Sequence, residues 1–249
     1  MSIINVTMDE LPYAAEEALN RLRINIKFCG KNTKKILVVS SLENEGKSFV
    51  ATNLWRMLAE AGFRTILVDT DLRNSVMKNR LSFECDEEIK GLDYYLSGQA
   101  EYSDVIYQTN FENGDIIPCS NLLENPSSLL EDPRFKELFK SLSEEYRYII
   151  IDAPPLVNVS DGALIAGMSD GAILVVNGGE TSKTLIKQSL NHLERAKCRL
   201  LGMVLNKAEV ANRAYSKYYG KYGKYGQYGK QYGAQALAAQ NEADSEGDK

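Results

Sequence analysis

A glycine, a lysine and a serine stand together after a short apolar run, a grouping typical of a phosphate-binding loop. The stretch SLENEGKS, residues 41–48, fits the pattern G-x-x-x-x-G-K-[ST] at Gly46, Lys47 and Ser48, with Ser41 in place of the first glycine. Backbone N–H groups at the start of a helix bind phosphate, the lysine adds a cation, and the hydroxyl can ligate Mg²⁺. We therefore predict nucleotide contacts from Asn44, Glu45, Gly46, Lys47, Ser48 and Phe49.

Three aspartates follow two further apolar runs. Asp69 and Asp71 lie in ILVDTDLR, and Asp152 lies in IIIDAPP. Phosphoryl transfer needs a magnesium ion held by hydroxyl and carboxylate oxygens, and a carboxylate near the attacking hydroxyl. Ser48 with one or two of the aspartates would meet the first need, and another aspartate the second. Each motif alone is as consistent with an ordinary turn, so the prediction depends on their combination.

The elements around these motifs alternate between helices and strands. We predict helices at 11–28, 47–61, 91–96, 132–145 and 183–196, and strands at 36–39, 65–68, 115–118, 148–151, 172–176 and 201–205. Gly62 stands where a helix C-cap is expected. Strands that are apolar throughout indicate an α/β fold, with a mostly parallel sheet covered by helices on both faces. Ligands bind such sheets at the carboxyl ends of the strands, where the motifs lie.

Composition excludes several classes of protein. The chain has 249 residues, 44% of them hydrophobic, and a net charge of -5, so neither disorder of the whole chain nor a nucleic-acid partner is indicated. Its four cysteines form no CxxC pair and it has one histidine, which argues against a zinc site. Without a signal peptide or a long apolar run, we expect a cytoplasmic protein, unless a partner holds it at the membrane.

The trio EGKS, LVDTDLR and IIIDAPP resembles the Walker A, A′ and B motifs of the bacterial tyrosine kinase (BY-kinase) family. Without an apolar span, the chain looks like the separate kinase subunit of the CpsD/CapB type, and the resemblance covers about residues 10–232. It implies a P-loop NTPase fold of the MinD/ParA-like type, with ATP and Mg²⁺ as cofactors. It further implies that Ser48, Asp69 and Asp152 hold the metal and that Lys47, Asp69 and Asp71 are catalytic, with Asp69 as base or acceptor-orienting group. By the same resemblance Asn206 contacts adenine, the alternative being a polar strand cap.

The chain departs from the family pattern at two places. Asn44 stands where the family usually has proline or glycine before EGK, and we expect this change to be tolerated because side chains there point away from phosphate. The family's ring-assembly motif E-x-x-R-x-x-R is matched by Glu17 and Arg23, but Asn20 holds the middle position, with Arg21 beside it. The N-terminal helix therefore fits a ring-assembly role and a salt-bridged surface role about equally.

The C-terminal part changes character. Seven of the 14 tyrosines lie within about twenty residues: Tyr215, Tyr218, Tyr219, Tyr222, Tyr225, Tyr228 and Tyr232. Their linkers, mostly glycine, lysine, serine and glutamine, predict an exposed, flexible segment. We predict a kinase domain at 1–212 and a flexible tail at 213–249 whose tyrosines are autophosphorylated. The alternatives are an unmodified aromatic tail that binds a partner or polysaccharide, and nucleic-acid binding through the interleaved basic residues. The kinase-like motifs favour autophosphorylation.

Partners follow from the resemblance alone. It implies a homo-oligomer, a membrane-embedded activator that recruits the chain to the inner face of the membrane, and a cognate tyrosine phosphatase. The setting it implies is the synthesis and export of capsular or extracellular polysaccharide. The main alternative is a MinD/ParA-type ATPase switch, which usually carries an extra lysine at the start of its phosphate loop; Ser41, Leu42 and Glu43 show none. A non-catalytic protein with a degraded P-loop is disfavoured, because the lysine, serine and aspartates are intact.

Overall fold

A computed structural model describes residues 2–85, 87–157 and 160–208. The predicted boundary at residue 212 and all seven tail tyrosines lie outside these residues, so the domain division and the predicted flexibility of the tail stay predictions.

The described residues form one mixed sheet. Its strands are β1 (Ile3–Ile4), β2 (Lys35–Ser40), β3 (Thr65–Asp69), β4 (Tyr107–Thr109), β5 (Gly114–Ile117), β6 (Tyr148–Asp152), β7 (Gly171–Asn177) and β8 (Leu200–Asn206). They lie in the order β1-β4-β5-β3-β6-β2-β7-β8. All neighbours are parallel except β4 and β5. The prediction of a mostly parallel sheet is therefore confirmed.

Helices cover both faces of this sheet. They are α1 (Tyr13–Lys27), α2 (Lys47–Glu60), α3 (Met77–Arg80), α4 (Leu92–Leu96), α5 (Ser127–Leu130), α6 (Pro133–Glu145), α7 (Asp161–Ala166) and α8 (Lys183–Arg195). Successive strand residues point to opposite faces, so Ile36 belongs to the core under α1 and α2, and Leu37 to the core under α6, α7 and α8. Both residues are fully buried, which is why the strands are apolar throughout.

The predicted elements agree with the structure to within two residues at their ends. Gly62, the predicted C-cap glycine, has φ +81° just after α2. Its N–H donates to the Ala59 carbonyl, and the N–H of Phe63 donates to the Leu58 carbonyl. These two hydrogen bonds define a Schellman motif. At the start of α6, the Asp132 side chain caps the helix by accepting from the N–H of Arg134.

Strand β4, and therefore its hairpin with β5, was not predicted, although β5 itself was predicted at 115–118. The turn of the hairpin ends in the pair Asn113–Gly114, with Asn113 at φ +65°, and the Thr109 hydroxyl donates to the Gly114 carbonyl at 2.6 Å. An Asn-Gly pair is a strong hairpin signal, but a three-residue strand is too short to show an alternating pattern.

Asn20, which holds the middle position of the predicted assembly motif, forms hydrogen bonds within its own helix, α1. The Arg23 guanidinium donates twice to the Asn20 amide oxygen, at 3.1 and 2.7 Å. The contact joins Asn20 to Arg23, the last position of the predicted assembly motif, and is compatible with both predicted roles of the helix. Among the helices of the described ranges, none is both long and apolar enough to cross a membrane.

Candidate active site

The phosphate-binding loop connects β2, a central strand, to α2. β2 ends at Ser40 and α2 begins at Lys47, so the loop leaves the carboxyl edge of the sheet and enters a helix N-terminus. Gly46 is the N-cap residue and has φ +97°, a backbone conformation that suits glycine. Asn44 also has positive φ, at +61°, which asparagine tolerates better than most residues. The loop is therefore built from residue types that fit its turns.

The sheet brings the three predicted aspartates to the loop lysine. β3 and β6 are neighbours in which Asp69 is paired with Asp152. The ammonium of Lys47 lies 2.8 Å from Oδ2 of Asp71 and 4.0 Å from Oδ1 of Asp152. Residues separated by more than a hundred positions thus meet at one strand edge, as the motif positions predict.

Asp69 lies behind this cluster and is 1% exposed. Its carboxylate accepts hydrogen bonds from the N–H of Asp71 at 3.1 Å and from the hydroxyl of Ser75. Burial raises the pKa of Asp69 from 3.8 to about 8, and the nearby Asp152 carboxylate contributes to the rise, while the Ser75 hydrogen bond opposes it. The carboxyl of Asp69 can therefore take up or release a proton near neutral pH.

Lys47 and Asp152 each favour the charged form of the other. Burial raises the pKa of Asp152, and the Lys47 charge counteracts part of that rise. Burial by itself would lower the pKa of Lys47, but attraction to Asp152 and Asp71 outweighs it and keeps the ammonium charged. The cluster consequently holds three carboxylates around Lys47, while the charge of Arg80 also lowers the pKa of Asp152.

The arrangement fits a magnesium ion held together with a nucleotide. Oδ1 of Asp152 is buried without a hydrogen-bond partner among the described residues, and the Ser48 hydroxyl lies near enough to this carboxylate to oppose the rise in its pKa. In the described ranges no three His, Cys, Asp or Glu side chains form a cage for a metal ion. Mg²⁺ needs no such cage, because it is commonly bound through one or two carboxylates plus phosphate oxygens and water.

A cavity of about 380 Å³ opens beside the loop. Among the predicted nucleotide-binding residues, those that line it are Asn44, Gly46, Lys47, Ser48, Phe49 and Asn206. Glu45 is not among its described lining residues, and its side chain is buried instead. Of the three aspartates Asp71 lines the cavity, whereas Asp69 and Asp152 lie deeper. The predicted residues therefore come together, but they divide into a surface layer and a buried layer.

The amide of Asn206 has a contact that the sequence did not indicate. Its Nδ2 donates to the Glu45 carbonyl at 2.9 Å, and it lies so close to Gly46 that a Cβ there would be 2.0 Å from it. Asn206 therefore both lines the cavity and holds the loop. The predicted contact with adenine remains a prediction.

Two further cations line the cavity. Arg80, on α3, lies with its guanidinium carbon 5.8 Å from the centre of the Phe49 ring, and Lys207 donates to the Asn44 carbonyl at 2.7 Å. Both suit a polyphosphate ligand. No sequence signal pointed to them, because neither belongs to a recognisable motif.

The arginine of the DxDxR motif supports the site from outside. Arg73 donates from Nε to Oδ2 of Asp161 at 2.5 Å and from NH1 to the Glu124 carbonyl at 2.7 Å. Asp161 is 1% exposed and also accepts from the Ser127 hydroxyl at 2.7 Å. Arg73 thus ties the segment after β3 to α5 and α7, and nothing local in the sequence marks Asp161 as its partner.

Comparison with known proteins agrees with a nucleotide-binding site. A family model described as an AAA domain matches residues 33–204. The tyrosine-protein kinase CpsD of Streptococcus agalactiae is 38% identical over 208 residues, which cover 83% of this chain and 90% of that protein. The tyrosine-protein kinase CpsD of Streptococcus pneumoniae is 37% identical over 212 residues, covering 83% of this chain and 92% of that protein.

Solved structures show the same relationship in three dimensions. The kinase domain of the Escherichia coli tyrosine kinase ETK superposes with a TM-score of 0.73 at 28% identity, covering 80% of this chain and 78% of that one. The septum site-determining protein MinD from Pyrococcus horikoshii, complexed with Mg-ADP, superposes with a TM-score of 0.58 at 27% identity, covering 74% and 76%. The fold is that of a P-loop NTPase of the MinD/ParA type, as predicted.

Proposed function

The chain belongs to the tyrosine-protein kinase family that includes CpsD, and we propose that it transfers the γ-phosphate of ATP to tyrosines of its own C-terminal tail. The observation that carries this proposal is the meeting of Lys47 with three aspartates beside a cavity lined by the phosphate loop. A nucleotide-binding fold alone would not require a carboxylate at the end of β3 and another just after it, in addition to the one at the end of β6.

Nucleotide binding is assigned to the loop and its surroundings. The N–H groups at the start of α2 and the Lys47 ammonium bind the β- and γ-phosphates, and Arg80 and Lys207 supply further positive charge. Lys47 must then exchange part of its contact with Asp71 for phosphate, since its ammonium already donates to that carboxylate at 2.8 Å. Asn206 lies at the rim of the cavity, where it would contact the adenine.

Ser48, Asp152 and Asp69 are the proposed magnesium-binding residues. Oδ1 of Asp152 is buried without a hydrogen-bond partner among the described residues, and Lys47 reaches it only at 4.0 Å. The Asp69 carboxylate lies beside it in the paired strand. When bound, Mg²⁺ would neutralise charge that develops on the transferred phosphoryl group. The excess of carboxylates over cations in the cluster is the physical reason that the site would accept a divalent ion.

The aspartates of the DxD segment act on the attacking tyrosine. Asp71 lines the cavity, so it is placed to accept a hydrogen bond from the phenol and orient it. The phenol oxygen forms the new bond to the γ-phosphorus as the bond to the β-phosphate oxygen breaks, which releases ADP. The phenolic proton passes to the carboxylate pair, where Asp69, whose carboxylate accepts from the N–H of Asp71, is the proposed final acceptor.

The proposed acceptors are Tyr215, Tyr218, Tyr219, Tyr222, Tyr225, Tyr228 and Tyr232. Each phosphate would add about 1.5 to 2 negative charges at pH 7 to residues 213–232, a stretch with five basic residues and no acidic ones. We propose that this change drives apart an oligomer in which the tail of one copy enters the site of another. A membrane-embedded activator, recruitment to the membrane, an opposing phosphatase and a role in polysaccharide synthesis and export belong to the same proposal.

Mass spectrometry tests the proposal directly. Purified protein is incubated with ATP and Mg²⁺, with and without the Asp71→Asn substitution, and modified residues are mapped. Phosphotyrosine within residues 215–232 of the unsubstituted chain, and its loss in the variant, is the expected result. Light scattering on the same samples should show a lower mass after phosphorylation. Phosphotyrosine in both proteins would contradict the assigned role of Asp71, and a phosphorylated tail with unchanged mass would contradict the dissociation.

The second candidate function is an ATPase switch without kinase activity. The observation that favours it is the superposition on MinD, whose complex contains Mg-ADP. A switch would hydrolyse ATP and leave the tail unmodified, so phosphate release without phosphotyrosine, measured in the presence of an activator, would select it over the kinase.

A further inference from the structure

The first half of the phosphate loop is held by a side chain from its second half. Ser41 takes the position of the missing first glycine, is fully buried and has a negative φ. Its N–H donates to Oε2 of Glu45 at 2.7 Å, and the N–H of Leu42 donates to the same oxygen at 3.0 Å. The carboxylate of Glu45 thus binds two loop N–H groups from inside the protein.

The other oxygen of this carboxylate is bound by the turn after β7. The hydroxyl of Thr181 donates to Oε1 of Glu45 and itself accepts from the N–H of Asn177 at 2.9 Å. The hydroxyl of Ser189, on α8, donates to the Ser41 hydroxyl at 2.9 Å. Two contacts therefore join the loop to the β7–α8 region, and one of them passes through Glu45.

Glu45 does not face the nucleotide cavity. It is 4% exposed, and the described residues that line the cavity include its neighbours Asn44 and Gly46 on either side. A buried carboxylate is costly unless it is hydrogen-bonded, and here three donors satisfy it. If the side chain were removed, the Ser41 N–H would be left buried without a partner.

We infer that Glu45 is a positioning residue, whose carboxylate shapes the phosphate loop for nucleotide binding in place of the missing first glycine and is itself oriented by Thr181. The inference deepens the proposed function but depends only on its nucleotide-binding part. Glu45 acts through the backbone of the loop: its own carbonyl accepts from Asn206, and Gly46 and Lys47 follow directly.

Substitutions at Glu45 separate hydrogen bonding from charge. In Glu45→Gln the amide oxygen can accept both loop N–H groups, and the amide NH₂ can donate to the free lone pair of the Thr181 hydroxyl. We expect Glu45→Gln to bind ADP within about threefold of the unsubstituted chain, and Glu45→Ala to bind it about 10- to 100-fold more weakly, the range for an unpaired buried donor. Affinity is measured by titrating a fluorescent ADP analogue, so no kinase activity is needed.

Thr181 provides an independent pair of variants. Thr181→Val keeps the shape and loses the hydroxyl, and should weaken ADP binding several-fold, while Thr181→Ser should bind normally. The double variant Glu45→Ala/Thr181→Val should be no weaker than Glu45→Ala alone, because Thr181 acts through Glu45. The exposed Glu112, at the opposite edge of the sheet, provides the control variant Glu112→Ala.

Several outcomes would overturn the inference. One is ADP affinity of Glu45→Ala within twofold of that of the unsubstituted chain. Another is a double variant whose loss of ADP affinity equals the product of the two single losses. Equal weakening by Glu45→Gln and Glu45→Ala would show that charge, not positioning, matters. If Glu45→Ala does not fold, the Thr181→Val and Thr181→Ser pair still decides. Absence of phosphotyrosine in the unsubstituted chain, measured in the presence of an activator, would sink the kinase proposal and leave this one standing.

Discussion

Replacing Asp69 by asparagine should stabilise the nucleotide-free protein while removing its activity. Asp69 is buried beside Asp152, and its pKa rises from 3.8 to about 8 on folding. Between those pH values the folded chain holds a proton that the unfolded chain releases. The free energy of unfolding therefore falls as pH rises from about 4 to about 8, and asparagine removes this loss.

The size of the effect follows from the pKa. At about 1.4 kcal/mol for each pKa unit, the rise from 3.8 to about 8 sets a ceiling of about 6 kcal/mol on the gain. Water entry and movement of Lys47 lower this ceiling, so we expect about 2 kcal/mol at pH 8 and little at pH 4. For a chain of this length that corresponds to about 4–8 °C in Tm. Asparagine can keep both hydrogen bonds, accepting from the Asp71 N–H and donating to Ser75.

Urea unfolding at pH 5 and pH 8 without nucleotide tests this reasoning. Trp55 is the chain's one tryptophan and is fully buried, so its fluorescence reports the loss of the core. The gap in unfolding free energy between Asp69→Asn and the unsubstituted chain should widen from pH 5 to pH 8. Glu112→Gln, which removes an exposed negative charge, should show no such widening. Parallel pH dependences for Asp69→Asn and the unsubstituted chain would refute the carboxylate-crowding argument, as would full kinase activity of the variant.

Three other substitutions test different parts of the structure. Gly46→Ala should cost about 1–3 kcal/mol of unfolding free energy in urea, because φ is +97° and the new Cβ would lie 2.0 Å from Asn206; adding Asn206→Ala should recover only the steric part. Lys47→Met should weaken binding of fluorescent ADP at least tenfold, and unchanged affinity would contradict its assignment to the phosphates. Tyr146→Phe removes a donor at 2.6 Å from Asp115, whose pKa is already raised by burial. It should lower stability by about 1–3 kcal/mol at pH 7, and by less as the pH falls and Asp115 takes up a proton; a loss independent of pH would exclude this cause.

The candidate site was predictable because its motifs follow strands. Apolar runs located β2, β3 and β6, and parallel strands bring their carboxyl ends to one edge, so the motif positions were enough to predict that Lys47, Asp71 and Asp152 meet. The spacing of the motifs could not show which aspartates line the cavity and which lie behind it. That Asp71 lines the cavity while Asp69 lies behind it depends on how the chain turns after β3.

What the sequence determined by itself is the order of helices and strands and the chemistry at the strand ends, since both arise from local periodicity and short motifs. Only the tertiary structure decided the partners of polar side chains: Glu45 with Thr181, Arg73 with Asp161. These pairs join residues 136 and 88 positions apart. Their contacts depend on how helices pack across the sheet, which no local pattern encodes, and the same packing sets the burial that raises the pKa of Asp69.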